Sequence, residues 1–306
     1  MLLANPRGFC AGVDRAIAVV DQLLDQHGGP VYVRKEIVHN RQVVERLRAR
    51  GAVFVEEVDE APEGAILVFS AHGISPEVRR KAAQRKLRVV DATCPLVSKV
   101  HYEATKFAKA GLHVLLIGHA DHDEVIGTMG EIPDQITLVE DVEAVDRVTV
   151  PDPDRVAVIT QTTLSVDETR DIMDAVRRKF PNVRTPARDD ICYATQNRQD
   201  AVRDLASGCD VMIVVGSHNS SNSLRLRELA EQLGASAYLV DDPDQVQREW
   251  VEKAGRVGVT AGASSPEDLT QAIVARLREF GTFAIEEFGV PEPEIIFTMP
   301  REISLL

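Results

Sequence analysis

The chain has 306 residues, 44% of them hydrophobic, and a formal net charge of −13 at pH 7. This composition supports a sizeable core and excludes a disordered chain, and the acidic balance without a Lys/Arg stripe excludes nucleic acid as a partner. No apolar run approaches a membrane span and MLLANPRGFC lacks the layout of a secretory signal, so a cytoplasmic protein with reduced thiols and no membrane partner is expected.

In chain order, the first helix-period stretch follows Cys10. In AGVDRAIAVVDQLLDQHGG, the residues Val13, Ala16, Ile17, Val20, Leu23 and Leu24 share one face, and Gly28 is the stop. The runs VYVRKEIVHN, AVFVEEV and AILVFSAHGIS then read as strands, the first and third ending in polar loops, before an amphipathic helix in PEVRRKAAQRK. Cys94 opens a second copy. Its helix PLVSKVHYEATKFAKAG places Pro95 at the first helical position and Gly111 at the stop; HVLLIGHADHDE, ITLVEDV, RVAVITQTTLS and the helix VDETRDIMDAVRRKF follow. Cys192 opens a third, with the helix YATQNRQDAVRDLASG, the strands VMIVVGSHNSSNS, AYLVDD and RVGVTAGASSP, and the helix PEDLTQAIVARLREF.

From Cys10 to Gly28, Cys94 to Gly111 and Cys192 to Gly208 the separations are 18, 17 and 16 residues, so one unit is written three times. A period this long marks whole α/β modules rather than a short-repeat solenoid. The expected division is 1–93 with the N-terminal strand and Cys10, 94–191 with Cys94, 192–285 with Cys192, and a closing segment 286–306 in which IIFTMP reads as a last strand. Alternating strands and helices predict an α/β fold with mostly parallel sheets, whose ligands sit beyond the carboxyl ends of the strands.

The polar loops fall at those ends. They carry His39 with Asn40, Ser70 with His72, His119 with His122 and Glu124, Thr162 with Thr163, Ser217 to Ser223, and Ser264 with Ser265. A lone cysteine after a strand is usually a small core residue, but three at equivalent repeat positions point to a shared metal centre. Cys209 lies outside the repeat and reads as buried core. No C-x-x-C pair marks a zinc finger or bacterial ferredoxin, so any metal is held between modules. Three thiolates on a cubane iron–sulfur cluster leave one iron open as a Lewis acid that also passes electrons. A zinc-dependent phosphoesterase using Glu124 to activate water, and a redox sensor without catalysis, remain open on these residues alone.

The segments NPRGFCAGVDRA, DATCPLVSKVH, GHADHDEVIGTMGE, TQTTLSVDET, DDICYATQNRQ, GSHNSSNS and VTAGASSPE closely resemble the 4-hydroxy-3-methylbut-2-enyl diphosphate reductase family, over nearly the whole chain. The resemblance implies a trefoil-like assembly of three pseudo-repeated α/β modules around a [4Fe–4S] cluster held by Cys10, Cys94 and Cys192. It also implies reduction of an allylic alcohol diphosphate to isopentenyl and dimethylallyl diphosphates with electrons from a donor such as ferredoxin or flavodoxin. Position by position, His39, His72, His122, Ser220, Ser221, Asn222 and Ser264 fall where that family holds the diphosphate, and Glu124 and Thr162 where it handles the hydroxyl and its proton. Two positions depart from the family pattern: Asp123 stands where proline is common, and His218 where lysine is common.

Overall fold

The computed structural model describes residues 1–306. Its first segment runs β1 (Leu2–Asn5), α1 (Ala11–His27), β2 (Val31–Arg34), α2 (Arg41–Ala49), β3 (Ala52–Val55), β4 (Ile66–Phe69), α3 (Pro76–Gln84) and β5 (Arg88–Asp91). The next runs α4 (Pro95–Lys109), β6 (His113–Ile117), α5 (Asp123–Glu131), β7 (Ile136–Val139), α6 (Val142–Arg147), β8 (Val156–Thr160) and α7 (Val166–Lys179). The last comprises α8 (Tyr193–Ala206), β9 (Val211–Val215), α9 (Ser221–Gln232), β10 (Ser236–Val240), α10 (Arg248–Val251), β11 (Val257–Ala261), α11 (Glu267–Arg278) and β12 (Glu286–Gly289). Each cysteine helix forms where the apolar period predicts it. Gly28 and Gly111 take φ values of +69° and +73°, the left-handed conformation that glycine adopts at helix ends without steric cost.

The chain forms two compact units built from discontinuous segments. The first comprises Met1–Asp14, Val38–Arg46 and Tyr193–Ile296 and contains a five-stranded sheet in the order β10-β9-β11-β1-β12. Every pairing in it is parallel. Alternate residues of β9 feed two cores: Val211, Ile213 and Val215 pack with Leu269, Ile273 and Leu277 of α11, while Met212 and Val214 pack with Val202 and Leu205 of α8 and Leu226 of α9. Covering both faces explains why VMIVV is apolar throughout instead of alternating.

The second unit comprises Arg15–Ile37, Leu47–Cys192 and Phe297–Leu306 and contains two parallel sheets, β3-β2-β4-β5 and β7-β6-β8. Val100, Ala104 and Phe107 of α4 with Val125 of α5 cover one face of the smaller sheet, and Ile172, Ala175 and Val176 of α7 cover the other. The α/β fold with parallel sheets agrees with the sequence expectation.

Two expectations need correction. The N-terminal strand does not join the first module: β1 lies between β11 and β12, in the sheet of the third. The same offset recurs along the chain. The strand before Cys94, β5, pairs with β4, and the segment before Cys192 bridges β8 through Arg184 and Ala157. The segment leading into each cysteine pairs with the sheet of the preceding repeat, as a strand before Cys10 and Cys94 and as a single bridge before Cys192, and for the first repeat the preceding place is taken cyclically by the third. The second correction concerns IIFTMP, which forms no strand. Ile296 is 80% exposed, and the closing strand is instead Glu286–Gly289, which pairs in parallel with β1. Its sequence EEFG has one apolar side chain because an edge strand needs few.

Because β1 is an interior strand, loss of its packing should propagate. Leu3 is 3% exposed, so Leu3→Ala should lower unfolding stability by about 2–5 kcal/mol. The midpoint of urea denaturation measures this, and a cost under about 1 kcal/mol would show that β1 is dispensable.

Candidate active site

All three cysteines directly precede a helix, α1, α4 or α8, and each amide is fixed in the same way. Cys10 N–H donates to the Ala263 carbonyl at 3.1 Å, Cys94 N–H to Ala71 at 2.9 Å, and Cys192 N–H to Thr162 at 3.0 Å. Those acceptors stand two residues beyond the ends of β11, β4 and β8, the third strand of each repeat. Each cysteine is half-buried and none is in a disulfide. Burial pushes the Cys10 thiol up, while the N–H groups of Val13 and Gly12 and the Arg198 guanidinium favour its thiolate. Cys209, in contrast, is 8% exposed in the apolar core.

In the first unit, the loops after β9 and β11 bring together His39, Ser220, Ser221, Asn222 and Ser264. Ser220 caps α9, its Oγ accepting from Ser223 N–H at 3.4 Å, and lies 3.3 Å from Ser264 Oγ. Ser264 Oγ donates to the His39 carbonyl at 3.0 Å. Asn40 caps α2 by accepting from Val43 N–H, and Ser217 Oγ accepts from Arg41 N–H. Asn222 is only 4% exposed, yet neither its amide oxygen nor its nitrogen has a hydrogen-bond partner. Leaving such a buried group unsatisfied costs about 1–3 kcal/mol, which makes Asn222 a candidate contact for a polar ligand. The first turn of α9 adds backbone N–H groups and a positive dipole end, which favour an anion.

In the second unit, the loop after β4 carries His72 and that after β6 carries His122, with ring centroids 5.8 Å apart in an edge-to-face arrangement. His122 Nδ1 accepts from Glu124 N–H at 3.2 Å. His122 thereby caps the start of α5. Asp123 is the first residue of α5, where an acidic side chain, like proline, suits the helix start. His218 is exposed.

Glu124 is 2% exposed and held by one residue: Thr162 N–H donates to its Oε1 at 2.7 Å and Thr162 Oγ1–H to its Oε2 at 2.9 Å. Thr162 thus grips the Glu124 carboxylate while its own carbonyl receives the Cys192 amide. Burial pushes Glu124 up to about 7, against the two Thr162 hydrogen bonds and with help from the Asp190 charge. A carboxyl so placed exchanges its proton near neutral pH.

Among the buried polar residues that escaped the sequence reading are Asp190 and Arg198. Asp190, 7% exposed, accepts from Lys99 Nζ at 2.9 Å and from Thr160 N–H at 3.0 Å and fixes the turn before Cys192. Arg198, 1% exposed, lies in α8 with buried Thr195 and Gln199. The signal was present in YATQNRQ: polar residues at positions 195, 198 and 199 form one stripe at helical spacing.

The raised Glu124 makes stability fall with pH. The folded state keeps this proton above the ordinary carboxyl range and must give it up through pH 7, so ionisation is penalised at higher pH. Between pH 5 and 8 the wild type should lose on the order of 2 kcal/mol relative to Glu124→Gln. Denaturant titration of both proteins at the two pH values measures it; parallel pH profiles would show that Glu124 is not perturbed.

The family model for LytB protein matches residues 1–278. A 4-hydroxy-3-methylbut-2-enyl diphosphate reductase of Hahella chejuensis is 58% identical over 99% of this chain and 97% of its own. One of the same name from Acinetobacter baylyi is 54% identical over 100% of this chain and 98% of its own. The solved E-1-hydroxy-2-methyl-but-2-enyl-4-diphosphate reductase of Plasmodium falciparum superposes with a TM-score of 0.96 at 39% identity, covering 100% of this chain and 97% of its own. With the family match spanning all three cysteine repeats and relatives similar end to end, this chain belongs to the LytB protein family.

Proposed function

We propose that the protein reduces 4-hydroxy-3-methylbut-2-enyl diphosphate to isopentenyl and dimethylallyl diphosphates, the allylic hydroxyl leaving as water with uptake of two electrons and two protons. The observation that carries this reading is the equivalence of Cys10, Cys94 and Cys192, each bound through its amide to the same place beyond the third strand of a repeat. Half-buried thiols outside any disulfide, each at a helix start, form a donor set suited to a [4Fe–4S] cluster. When bound, such a cluster supplies single electrons and, with three protein thiolates, an open iron that acts as a Lewis acid. Ferredoxin or flavodoxin is the class of donor proposed to supply the electrons.

The remaining chemistry belongs to side chains. His39, His72, His122, Ser220, Ser221, Asn222 and Ser264 hold the diphosphate, through hydroxyl, amide and imidazole donors and the amides at the start of α9. Neutral donors avoid the cost of burying permanent cations, and imidazoles add charge when protonated. Glu124 holds a proton on its carboxyl and delivers it towards the reacting hydroxyl, and Thr162 keeps the carboxyl in place. The buried, water-poor surroundings of Glu124 keep that proton available near neutral pH.

Anaerobically purified protein should be brown and contain iron and sulfide, and Cys10→Ser, Cys94→Ser or Cys192→Ser should each lose most of both while Cys209→Ser keeps them. Colourless, zinc-containing wild type would instead favour a hydrolase. Asn222→Ala should retain iron but weaken diphosphate binding by about 1.5–3 kcal/mol, read by titration with the substrate or inorganic diphosphate. Glu124→Gln should retain iron and substrate affinity while kcat with a chemical reductant falls by roughly 10²–10⁴. Near-normal kcat in that variant would remove Glu124 from proton transfer.

A further inference from the structure

Arg198 combines burial, charge and contacts in a way the proposed reaction leaves unexplained. Its Nε and Nη2 donate to the Gly8 carbonyl at 2.9 and 2.7 Å, and Nη2 also donates to the Phe9 carbonyl at 3.1 Å. Nη1 donates to the Ala194 carbonyl at 3.0 Å and to the Glu292 carboxylate at 3.3 Å. Glu292 accepts in addition from Asn197 Nδ2 at 2.7 Å, which latches the segment after β12 onto α8. The two carbonyls of Gly8 and Phe9 belong to the residues immediately before Cys10. Gly8 is held at φ +69°, and a Cβ there would stand 3.2 Å from the Ser265 carbonyl oxygen, so the turn is closely packed.

A planar fork of N–H donors can satisfy adjacent carbonyls and a carboxylate together, which an ammonium does less well. Structural need alone does not require a full charge at this position, because a buried cation is costly and apolar packing often replaces it without loss. The charge has a use if the sulfur of Cys10 holds a redox centre. Each added electron makes such a centre more negative, and a cation in low-dielectric surroundings favours that change while a nearby carboxylate opposes it. A cleft of about 480 Å³ is lined by Phe9, Ala11, Tyr193, Arg198 and Glu292.

We propose that Arg198 is a positioning residue for Cys10 that also raises the reduction potential of the bound cluster, with Glu292 as the counter-charge that limits the effect. This rests on the cluster assignment above, and the test separates the two. Iron, sulfide and the cluster midpoint potential are measured on anaerobic holoenzyme of wild type, Arg198→Gln, Arg198→Lys and Glu292→Gln. Arg198→Gln should make reduction harder and Glu292→Gln should make it easier, each by about tenfold in the reduction equilibrium, or about 59 mV for a one-electron step. Arg198→Lys should keep the potential near wild type but lose iron faster to a chelator, since the fork is gone and the charge remains. A purely structural pair would change iron retention in every variant without opposite shifts in potential. Wild type without iron and sulfide overturns the cluster reading itself. Iron-replete Glu292→Gln with an unchanged or lowered potential overturns the tuning role of the Arg198–Glu292 pair, even if Arg198→Gln fails to fold.

Discussion

The arrangement of this protein depends on one backbone contact made three times, the amide of a cysteine bound to a carbonyl two residues past a buried parallel strand. An amide hydrogen bond constrains direction as well as distance, so each thiol inherits the rigidity of the sheet beneath it. The segment that leads into each cysteine pairs with that same sheet, as a strand before Cys10 and Cys94 and by a single bridge before Cys192, fixing the cysteine from its N-terminal side as well. The helix that follows fixes it from the other. A side chain on a free loop would have none of these three constraints, and the ligand role proposed for these thiols would draw on all of them, because metal–sulfur geometry tolerates little displacement.

The same strand ends supply the proposed substrate groups, and for the same reason. Ala263 and Ala71, which receive the amides of Cys10 and Cys94, are followed directly by Ser264 and His72. Thr162 receives Cys192 and holds Glu124 itself. Positioning of the thiols and of the polar side chains is therefore not separable: one turn of chain serves both. The close parallel sheets keep these turns short, since each strand enters its loop already packed on two faces.

The polar interior contains groups whose burial costs folding energy. Asn222 lacks partners for both ends of its amide, and Glu124 is buried with neutral hydrogen-bond donors instead of a cation. An Arg or Lys beside Glu124 would stabilise the carboxylate and release the proton that its burial retains. Arg198 is paired, by contrast, since an uncompensated guanidinium in the interior would cost more than its contacts return. A cation is thus admitted beside Cys10 and withheld beside Glu124.

The elements and the positions proposed for the site were legible in the linear chain, because both follow local rules. Apolar period and glycine stops set the cysteine helices. Repetition distinguished Cys10, Cys94 and Cys192 from Cys209, and polar residues after apolar strands marked His39, His72, Glu124, Ser220 and Ser264. What pairs with what emerged only on folding. Strand β1 belongs to the sheet of the third repeat and EEFG, not IIFTMP, closes it, because strand pairing is settled by long-range hydrogen bonding that leaves no local pattern. The perturbed Glu124, the orphaned amide of Asn222 and the grip of Arg198 on Gly8 and Phe9 were invisible for a related reason. Each depends on burial and on partners distant in sequence, and desolvation is a property of the folded surroundings that no residue carries alone.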